Sequence, residues 1–205
     1  MKPIIFSTEM TKALLDNRKT MTRRVIKPQP ELNDKGFWQL GDAFWSKGVK
    51  SFNPMPGHSL CNRLPYKPGD ILWVREAWIP WDSLAWNIQQ YLERNGKKLD
   101  FVYKTDFEFD TGKGWKPSIH MPKEAARIFL RVIDIRVECL CQITTFDAIA
   151  EGFSSGERES ETDAFYKYWN KLNAKRGYGK ESDPWVWVYT FERTEKSWQR
   201  TKGVT

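Results

Sequence analysis

A short basic segment near the N-terminus contains the residues best suited to chemistry. Residues 17–27 hold five cations and no acidic residue, with the hydroxyls of Thr20 and Thr22 between them. A solvated helix face usually mixes charges of both signs, because opposite neighbours support each other. A cationic, hydroxyl-bearing segment is therefore suited to holding an anion, a phosphate or a polar base. A basic surface strand without such a role is the alternative that charge alone leaves open.

Lys19 and Thr22 form a candidate pair of base and nucleophile within this segment. A threonine hydroxyl becomes nucleophilic when a base takes its proton, and a lysine acts as that base only when its pKa is lowered. The like charges of Arg18, Arg23 and Arg24 favour such a lowering. In an ideal strand Lys19 and Thr22 point to opposite faces, so a turn or bulge must bring them together. A phosphate-contacting strand without catalysis is the competing interpretation.

A second group of candidate residues lies further along the chain. Glu151 ends a short predicted helix, where the helix dipole disfavours a carboxylate and a functional reason for its presence is one interpretation. A solvated glutamate is the other interpretation. Candidate substrate contacts also occur at the end of an apolar strand and in a later loop, and they are Arg75, Glu76, Trp78, Ser118 and His120. For these residues the alternatives are an exposed ion pair, a core tryptophan and an ordinary loop histidine.

Composition favours an anionic partner without specifying one. The 205 residues carry a net charge of +7, and 15% of them are aromatic. Large rings build much of a core, and exposed rings in a basic protein are platforms on which bases stack. Composition alone does not identify the anionic partner, and the sequence does not indicate an oligomeric state.

Several classes of protein are disfavoured by what the sequence lacks. The three cysteines, Cys61, Cys139 and Cys141, are too few and too scattered for a disulfide framework, and they favour a reducing compartment. With two histidines and no second cysteine pair, we expect no metal site. No phosphate-binding loop, dinucleotide fingerprint or zinc-protease motif occurs, so we expect no cofactor. No apolar stretch reaches the length of a signal peptide or a membrane span, so we expect a cytoplasmic protein.

The elements that must position these residues can be predicted from periodicity. Met10, Ala13 and Leu14 predict a helix capped by Ser7 or Thr8, and residues 20–26 predict a strand after it. The remaining predictions are a strand over 71–78, a helix within 84–94, a weak strand over 101–104, a strand over 127–140 whose alternation shifts at Val132 and Ile133, a helix over 147–151, a helix through Phe165, Tyr168, Trp169 and Leu172, and a strand over 185–191. Asn17 is suited to the left-handed residue that ends the first helix.

Two long connections separate these elements, at about residues 28–68 and 79–100. The first is aromatic and rich in glycine and proline without a clear period, which is typical of an ordered insertion or a lid. Strands and short helices alternate without parallel-sheet regularity. This pattern predicts an α+β fold with a small curved sheet or barrel.

The sequence from Asn17 to Arg24, NRKTMTRR, resembles the GxKxxxxR signature of the ASCH domains, a PUA-like superfamily of small β-barrels. Asn17 stands where the signature has glycine, and Lys19 and Arg24 match in place. The blocks KPIIFSTEM, RRVIKPQP, KPGDILWVREAW, KPSIHMP, DAIAEG and PWVWVYTFE resemble phage- and prophage-borne ASCH proteins. The resemblance covers roughly residues 1–192. It implies one domain with a PUA-like β-barrel of about five or six strands, flanking helices and two long insertions, followed by a polar tail over 193–205.

The resemblance also implies partners, which are RNA or a modified nucleoside and possibly DNA, and an activity. Some compact ASCH proteins are amidohydrolases that remove the acetyl group from N4-acetylcytidine with a lysine, a threonine and a glutamate, which here fall on Lys19, Thr22 and Glu151. Arg18, Arg23 and Arg24 would then contact the substrate or steady an oxyanion. This chain is about twice as long as those enzymes, so its insertions could close over a different substrate. A ribonuclease, a non-catalytic RNA- or DNA-binding module of phage origin and a phage assembly factor remain alternatives.

Overall fold

Eleven strands and four α-helices form in the part of the chain that the computed structural model describes, which is residues 1–94, 96, 100–107, 114–156 and 159–195. The α-helices are α1 (Thr8–Leu15), α2 (Trp86–Arg94), α3 (Thr145–Ala150) and α4 (Glu161–Asn173). The strands are β1 (Lys2–Ile5), β2 (Met21–Val25), β3 (Glu31–Leu32), β4 (Phe37–Leu40), β5 (Ala43–Ser46), β6 (Ser51–Phe52), β7 (Ile71–Arg75), β8 (Trp78–Pro80), β9 (Phe101–Tyr103), β10 (Phe129–Cys139) and β11 (Trp185–Thr194). Of the predicted polar tail over 193–205, residues 196–205 lie outside the described residues.

The chain divides into two compact units. The first comprises Met1–Lys12, Ile71–Arg131 and the end of the chain from Arg193, and the second comprises Ala13–Asp70 and Val132–Glu192. Lys19, Thr22 and Glu151 all belong to the second unit. No helix among the described residues is long and apolar enough to cross a lipid bilayer.

In the first unit, β1 runs parallel to β7, and β7 pairs antiparallel with Phe129–Arg131 of β10. Strands β8 and β9 form a separate antiparallel pair. An aromatic core in this unit includes Trp73, Trp78 and Tyr103. These large rings stabilise the unit through the apolar area that they bury. The predicted helix within 84–94 is confirmed as α2.

In the second unit, β11 lies between β2 and β10, and β6 pairs antiparallel with the last part of β10. Helices α3 and α4 cover one face, where Phe165 and Trp169 pack against Val186 and Val188 of β11. Leu172, which was predicted on the same buried stripe of α4, is instead 48% exposed. The stripe therefore ends one turn earlier than its periodicity indicates.

The predicted α+β class is confirmed, and a closed barrel is not shown. The described residues form a mixed, mostly open sheet in the order β1-β7-β10-β11-β2, with β6 beside β10. The predicted change of alternation in β10 is present, because Val132 is buried, Ile133 is 47% exposed and Ile135 is buried again. Such a change of phase is typical of a bend or bulge that curves a sheet.

The first insertion has more regular structure than its sequence indicates. Strands β3, β4 and β5 form an antiparallel three-stranded sheet within residues 28–68. The turn between β4 and β5 consists of Gly41, which has a positive φ of 63°, and Asp42. These are ordinary hairpin-turn residues between aromatic runs, so the signal was present but was not used in the prediction.

Candidate active site

The turn after α1 fixes the position of Lys19. Asn17 has a left-handed φ of 56°, as predicted, and the backbone N–H groups of Arg18 and Lys19 both donate to the carbonyl of Ala13. The N–H of Thr20 then donates to the carbonyl of Ala150 at 2.8 Å. The segment that carries Lys19 is therefore held by hydrogen bonds to α1 and to the end of α3.

The end of α3 fixes Glu151 beside this segment. A capping box between Thr144 and Asp147 starts the helix, and Glu151 is its C-cap residue. Gly152 follows with a φ of 95°, and a Cβ there would lie 2.9 Å from Cβ of Ala13 and 3.3 Å from Cβ of Lys19. Only glycine tolerates both the conformation and the close approach.

Lys19 and Glu151 form a buried ion pair. Nζ of Lys19 donates to Oε2 of Glu151 at 2.7 Å and to its backbone carbonyl at 2.8 Å. Each residue is 4% exposed. Burial lowers the pKa of Lys19 from its ordinary value, and the charge of Glu151 opposes this effect without cancelling it. Burial is therefore the dominant influence on the pKa of Lys19.

Further charges surround this pair and form, with it, a buried network that we call the ion cluster. It contains three cations and three carboxylates, namely Lys19, Arg23, Arg136, Glu138, Asp147 and Glu151. Nε of Arg23 donates to Glu138 at 2.9 Å, and its Nη atoms donate to Asp147 at 2.9 Å and Glu151 at 3.4 Å. Because each charge has an opposite partner, the cluster offsets the cost of removing these charges from water.

The cluster also shifts the acidity of its half-buried members. Burial by itself would raise the pKa of Asp147, but the charges of Arg23 and Arg136 and a backbone hydrogen bond from Thr144 outweigh burial and lower it. Burial would likewise lower the pKa of Arg136, and the carboxylates of Glu138 and Asp147 raise it instead. Both residues are therefore held in their charged forms.

Thr22 and Arg24 lie on the face of β2 opposite to Arg23, because successive strand residues alternate. Thr22 is paired with Tyr189 of β11 and is 4% exposed. Arg24 interacts electrostatically with Glu151 and with the phenol of Tyr189. A turn at Asp16 and Asn17 precedes Lys19, which forms an isolated β-bridge with Glu151 before β2 begins at Met21.

A cavity of about 580 Å³ opens on this face. Its wall contains the rings of Tyr66, Trp187 and Tyr189 and the cations of Arg24 and Arg63. Burial raises the pKa of the Tyr189 phenol, which keeps it protonated. Cavities of this size and character accommodate small organic ligands.

The other predicted contact residues of the second unit occupy two kinds of position. Arg18 is exposed and donates to Asp16 and to the carbonyl of Gly152, each at 3.0 Å. The Arg23 side chain is fully buried among three carboxylates. It therefore orients Glu151 and does not face the cavity.

The remaining predicted contact residues belong to the first unit, where most of them have structural partners. Arg75 lies over the ring of Trp73, with 4.7 Å between its guanidinium carbon and the ring centroid. Glu76 is buried and accepts hydrogen bonds from Arg127 at 2.9 and 3.0 Å. Trp78 is part of the aromatic core and is 6% exposed, so burial has displaced the stacking role suggested for it. Ser118 and His120 lie in a short 3₁₀ turn, and His120 is exposed.

Sequence reasoning missed Arg136, Glu138 and Asp147 as members of the ion cluster. Charges at alternate positions of an otherwise buried strand were a usable signal for Arg136 and Glu138, because such charges need partners. Asp147 was identifiable as the third residue after the cap of α3. The cavity residues Tyr66 and Arg63 lie in the insertion, whose fold was not predicted.

Comparisons with known proteins give one structural neighbour. No protein-family model matches the chain, and no curated protein matches it. The chain is similar to the crystal structure of protein EF3133 from Enterococcus faecalis V583, of family model DUF984, with a TM-score of 0.43 and 8% sequence identity. The alignment covers 98% of this chain and 86% of that protein. This TM-score indicates only a weak similarity of fold, and the similarity carries no argument about function.

Proposed function

We propose that this protein is a hydrolase that cleaves the amide of an acylated cytidine-type base, with Lys19, Thr22 and Glu151 as its catalytic residues. The observation that carries the proposal is the buried ion pair between Lys19 and Glu151, with 2.7 Å between Nζ and Oε2. A buried lysine of lowered pKa and a buried threonine three residues later are the residue types that nucleophilic catalysis by a hydroxyl uses.

The proposed reaction has two stages. Lys19 takes the proton of the Thr22 hydroxyl as its oxygen forms a bond to the amide carbonyl carbon. Lys19 then returns that proton to the amine nitrogen as the carbon–nitrogen bond breaks, which releases the base and leaves an acyl ester on Thr22. Water then attacks the ester carbonyl carbon while Lys19 takes one of its protons, and Lys19 gives that proton to the Thr22 oxygen as the ester bond breaks, which releases the carboxylic acid and free Thr22. Glu151 holds Lys19 in place and balances its charge.

Two arginines have separate supporting roles in this proposal. Arg23 fixes the orientation of Glu151 from inside the ion cluster. Arg24, on the cavity face of β2, supplies positive charge where the amide oxygen becomes negative. Arg23 is thus a positioning residue, whereas Arg24 contacts the substrate.

Hydrolysis of N4-acetylcytidine, followed by chromatographic separation of cytidine, tests the proposal. We expect Lys19→Ala and Glu151→Gln to reduce kcat/KM at least about 100-fold, which is the lower range for a lost general base or acid. Lys12→Ala, which removes an exposed lysine of α1, is the matched control and should keep full activity. The proposal fails when the wild type releases no cytidine from N4-acetyl or longer N4-acyl cytidines, or when a folded Lys19→Ala variant retains the wild-type rate.

Recognition of a nucleoside or RNA without chemistry is the second candidate function. The cavity with three aromatic rings and Arg24 favours it, since rings and cations bind bases whether or not a reaction follows. In that case Arg24→Gln would weaken binding of cytidine derivatives, and no turnover would be found in the wild type.

A further inference from the structure

We infer that the cavity on the outer face of β2 and β11 is a nucleotide site in which Lys27 and Arg63 bind a phosphate group. The inference goes beyond the proposed hydrolysis, because it makes a phosphorylated nucleotide, and not a free nucleoside, the preferred ligand. It rests on the proposed function only in taking a nucleobase as the ring that enters the cavity.

The chemistry of the cavity wall changes from its inner end to its rim. Trp187 and Tyr189 are 4% and 0% exposed and form the inner end, and the half-buried Tyr66 stands beside Tyr189 with 5.2 Å between ring centroids. Lys27 and Arg63 are exposed and line the same cavity. The inner end is thus closed, the half-buried Tyr66 is the ring that an entering flat ring can stack on, and an anionic group is accommodated at the rim.

The charge of this cavity has one sign. Its lining residues in the described part of the chain include three cations, Arg24, Lys27 and Arg63, and no carboxylate. A phosphate monoester carries roughly −1.5 to −2 charges near neutral pH and offers three acceptor oxygens, so it matches a rim of two cations. Guanidinium groups bind phosphate oxygens in pairs, which adds geometric selectivity.

The position of Arg63 is built by the insertion. Its guanidinium lies against the backbone of Gly41, so closely that a Cβ at Gly41 would overlap it. Its ion pair with Asp42, at 3.4 Å, is exposed on both sides and is easily exchanged for a phosphate. Arg63, Pro65 and Tyr66 come from one stretch of the insertion, so this stretch supplies both the anion contact and an aromatic wall.

The volume of about 580 Å³ lies within the range of sites that hold small-molecule ligands and cofactors. The same chemistry suits a mononucleotide and a phosphodiester in a longer strand. These two sources of phosphate are distinguished by the ligands used in the test.

Calorimetric titration of the full chain with cytidine, cytidine 5′-monophosphate and a cytidine dinucleotide tests the inference. We expect the wild type to bind one or both phosphate-containing ligands at least about tenfold more tightly than cytidine, by an amount that falls with added salt. Arg63→Gln and Lys27→Gln should each remove most of this difference. Lys47→Gln, which removes an exposed cation of the same insertion away from the cavity, should change nothing.

The inference is overturned by equal affinities for cytidine and both phosphate-containing ligands, by no measurable binding of any of them, or by Arg63→Gln and Lys27→Gln behaving like Lys47→Gln. None of these measurements requires hydrolysis. A protein that prefers the phosphorylated ligand but releases no cytidine from N4-acetylcytidine would retain this site and disprove the hydrolase. A protein that hydrolyses N4-acetylcytidine without a preference for phosphate would do the reverse.

Discussion

Lys19 and Glu151 are 132 residues apart in the chain and are joined by two hydrogen bonds from a single ammonium group. One bond reaches the Glu151 carboxylate and the other reaches its backbone carbonyl. The ammonium group is therefore placed relative to the backbone of Glu151 as well as to its side chain. A mutation of the Glu151 side chain would leave the second bond in place, which makes Glu151→Gln an informative variant.

The lowered pKa of Lys19 predicts a specific pH dependence of catalysis. Because the neutral amine is the active form, kcat/KM should rise with pH and level off below the ordinary lysine value of 10.5. Lys19→Arg should remove this limb of the pH profile, since a guanidinium does not release its proton in this range. A rate that is independent of pH in the wild type would contradict the role of Lys19 as base.

The lowered pKa of Lys19 also predicts the direction in which stability changes with pH. Between the lowered pKa of folded Lys19 and the value of 10.5 in the unfolded chain, the unfolded state binds more protons. The free energy of unfolding of the wild type, relative to Lys19→Met, should therefore rise with pH across this window. Urea denaturation at a series of pH values measures this difference.

Thr22 allows a test that separates nucleophile from scaffold. Thr22→Ser keeps the hydroxyl, and Thr22→Val keeps the shape of the side chain at this 4% exposed position. We expect the serine variant to retain kcat within about tenfold and the valine variant to lose at least about 100-fold. Detection of an acyl ester by mass spectrometry in the wild type, and its absence in Thr22→Val, is the second readout. Equal rates in both variants would remove Thr22 from the reaction.

Substitution of Gly152 should lower stability, and Gly177 in the same unit provides a matched control. Gly152→Ala combines the strain of a positive φ with overlap against Ala13 and Lys19, and it should lower the free energy of unfolding by about 2 kcal/mol or more. Gly177→Ala has the same kind of strain, at a φ of 82°, but no neighbour within 4 Å, so about 1 kcal/mol is expected. Chemical denaturation of both variants measures the difference. Equal losses would show that the close approach at Gly152 is unimportant.

Arg23 and Arg136 should differ in their contribution to stability. The Arg23 side chain is 0% exposed and serves three carboxylates, so Arg23→Met leaves buried negative charge unpaired and should cost about 3–5 kcal/mol. Arg136 is 25% exposed, and water replaces part of its role, so Arg136→Met should cost less. A cost for Arg23→Met no larger than that for Arg136→Met would contradict the ion cluster as described.

Local patterns were sufficient to predict the elements that carry the candidate site. The apolar spacing of Met10, Ala13 and Leu14 predicted α1, and Asn17 correctly predicted the left-handed residue after it. These features depend on neighbours within one or two turns, which a single sequence displays directly.

The contacts between distant elements were not predictable in the same way. Arg23 and Glu138 are 115 residues apart, and nothing in either local sequence specifies the other as its partner. Arg23 and Arg24 were both predicted to contact the substrate, whereas the strand turns Arg23 into the ion cluster and Arg24 toward the cavity. The register of β2 against β11, which tertiary packing sets, made that division.

Strand β2 therefore has two sets of positions, which lie on opposite faces of the strand. Met21 and Arg23 serve the packed interior, while Arg24 lines the cavity and Thr22 pairs with Tyr189 of β11. A single-residue deletion within β2 would turn the side chains that follow it to the opposite face of the strand. This strand should therefore tolerate substitutions far better than a change of length.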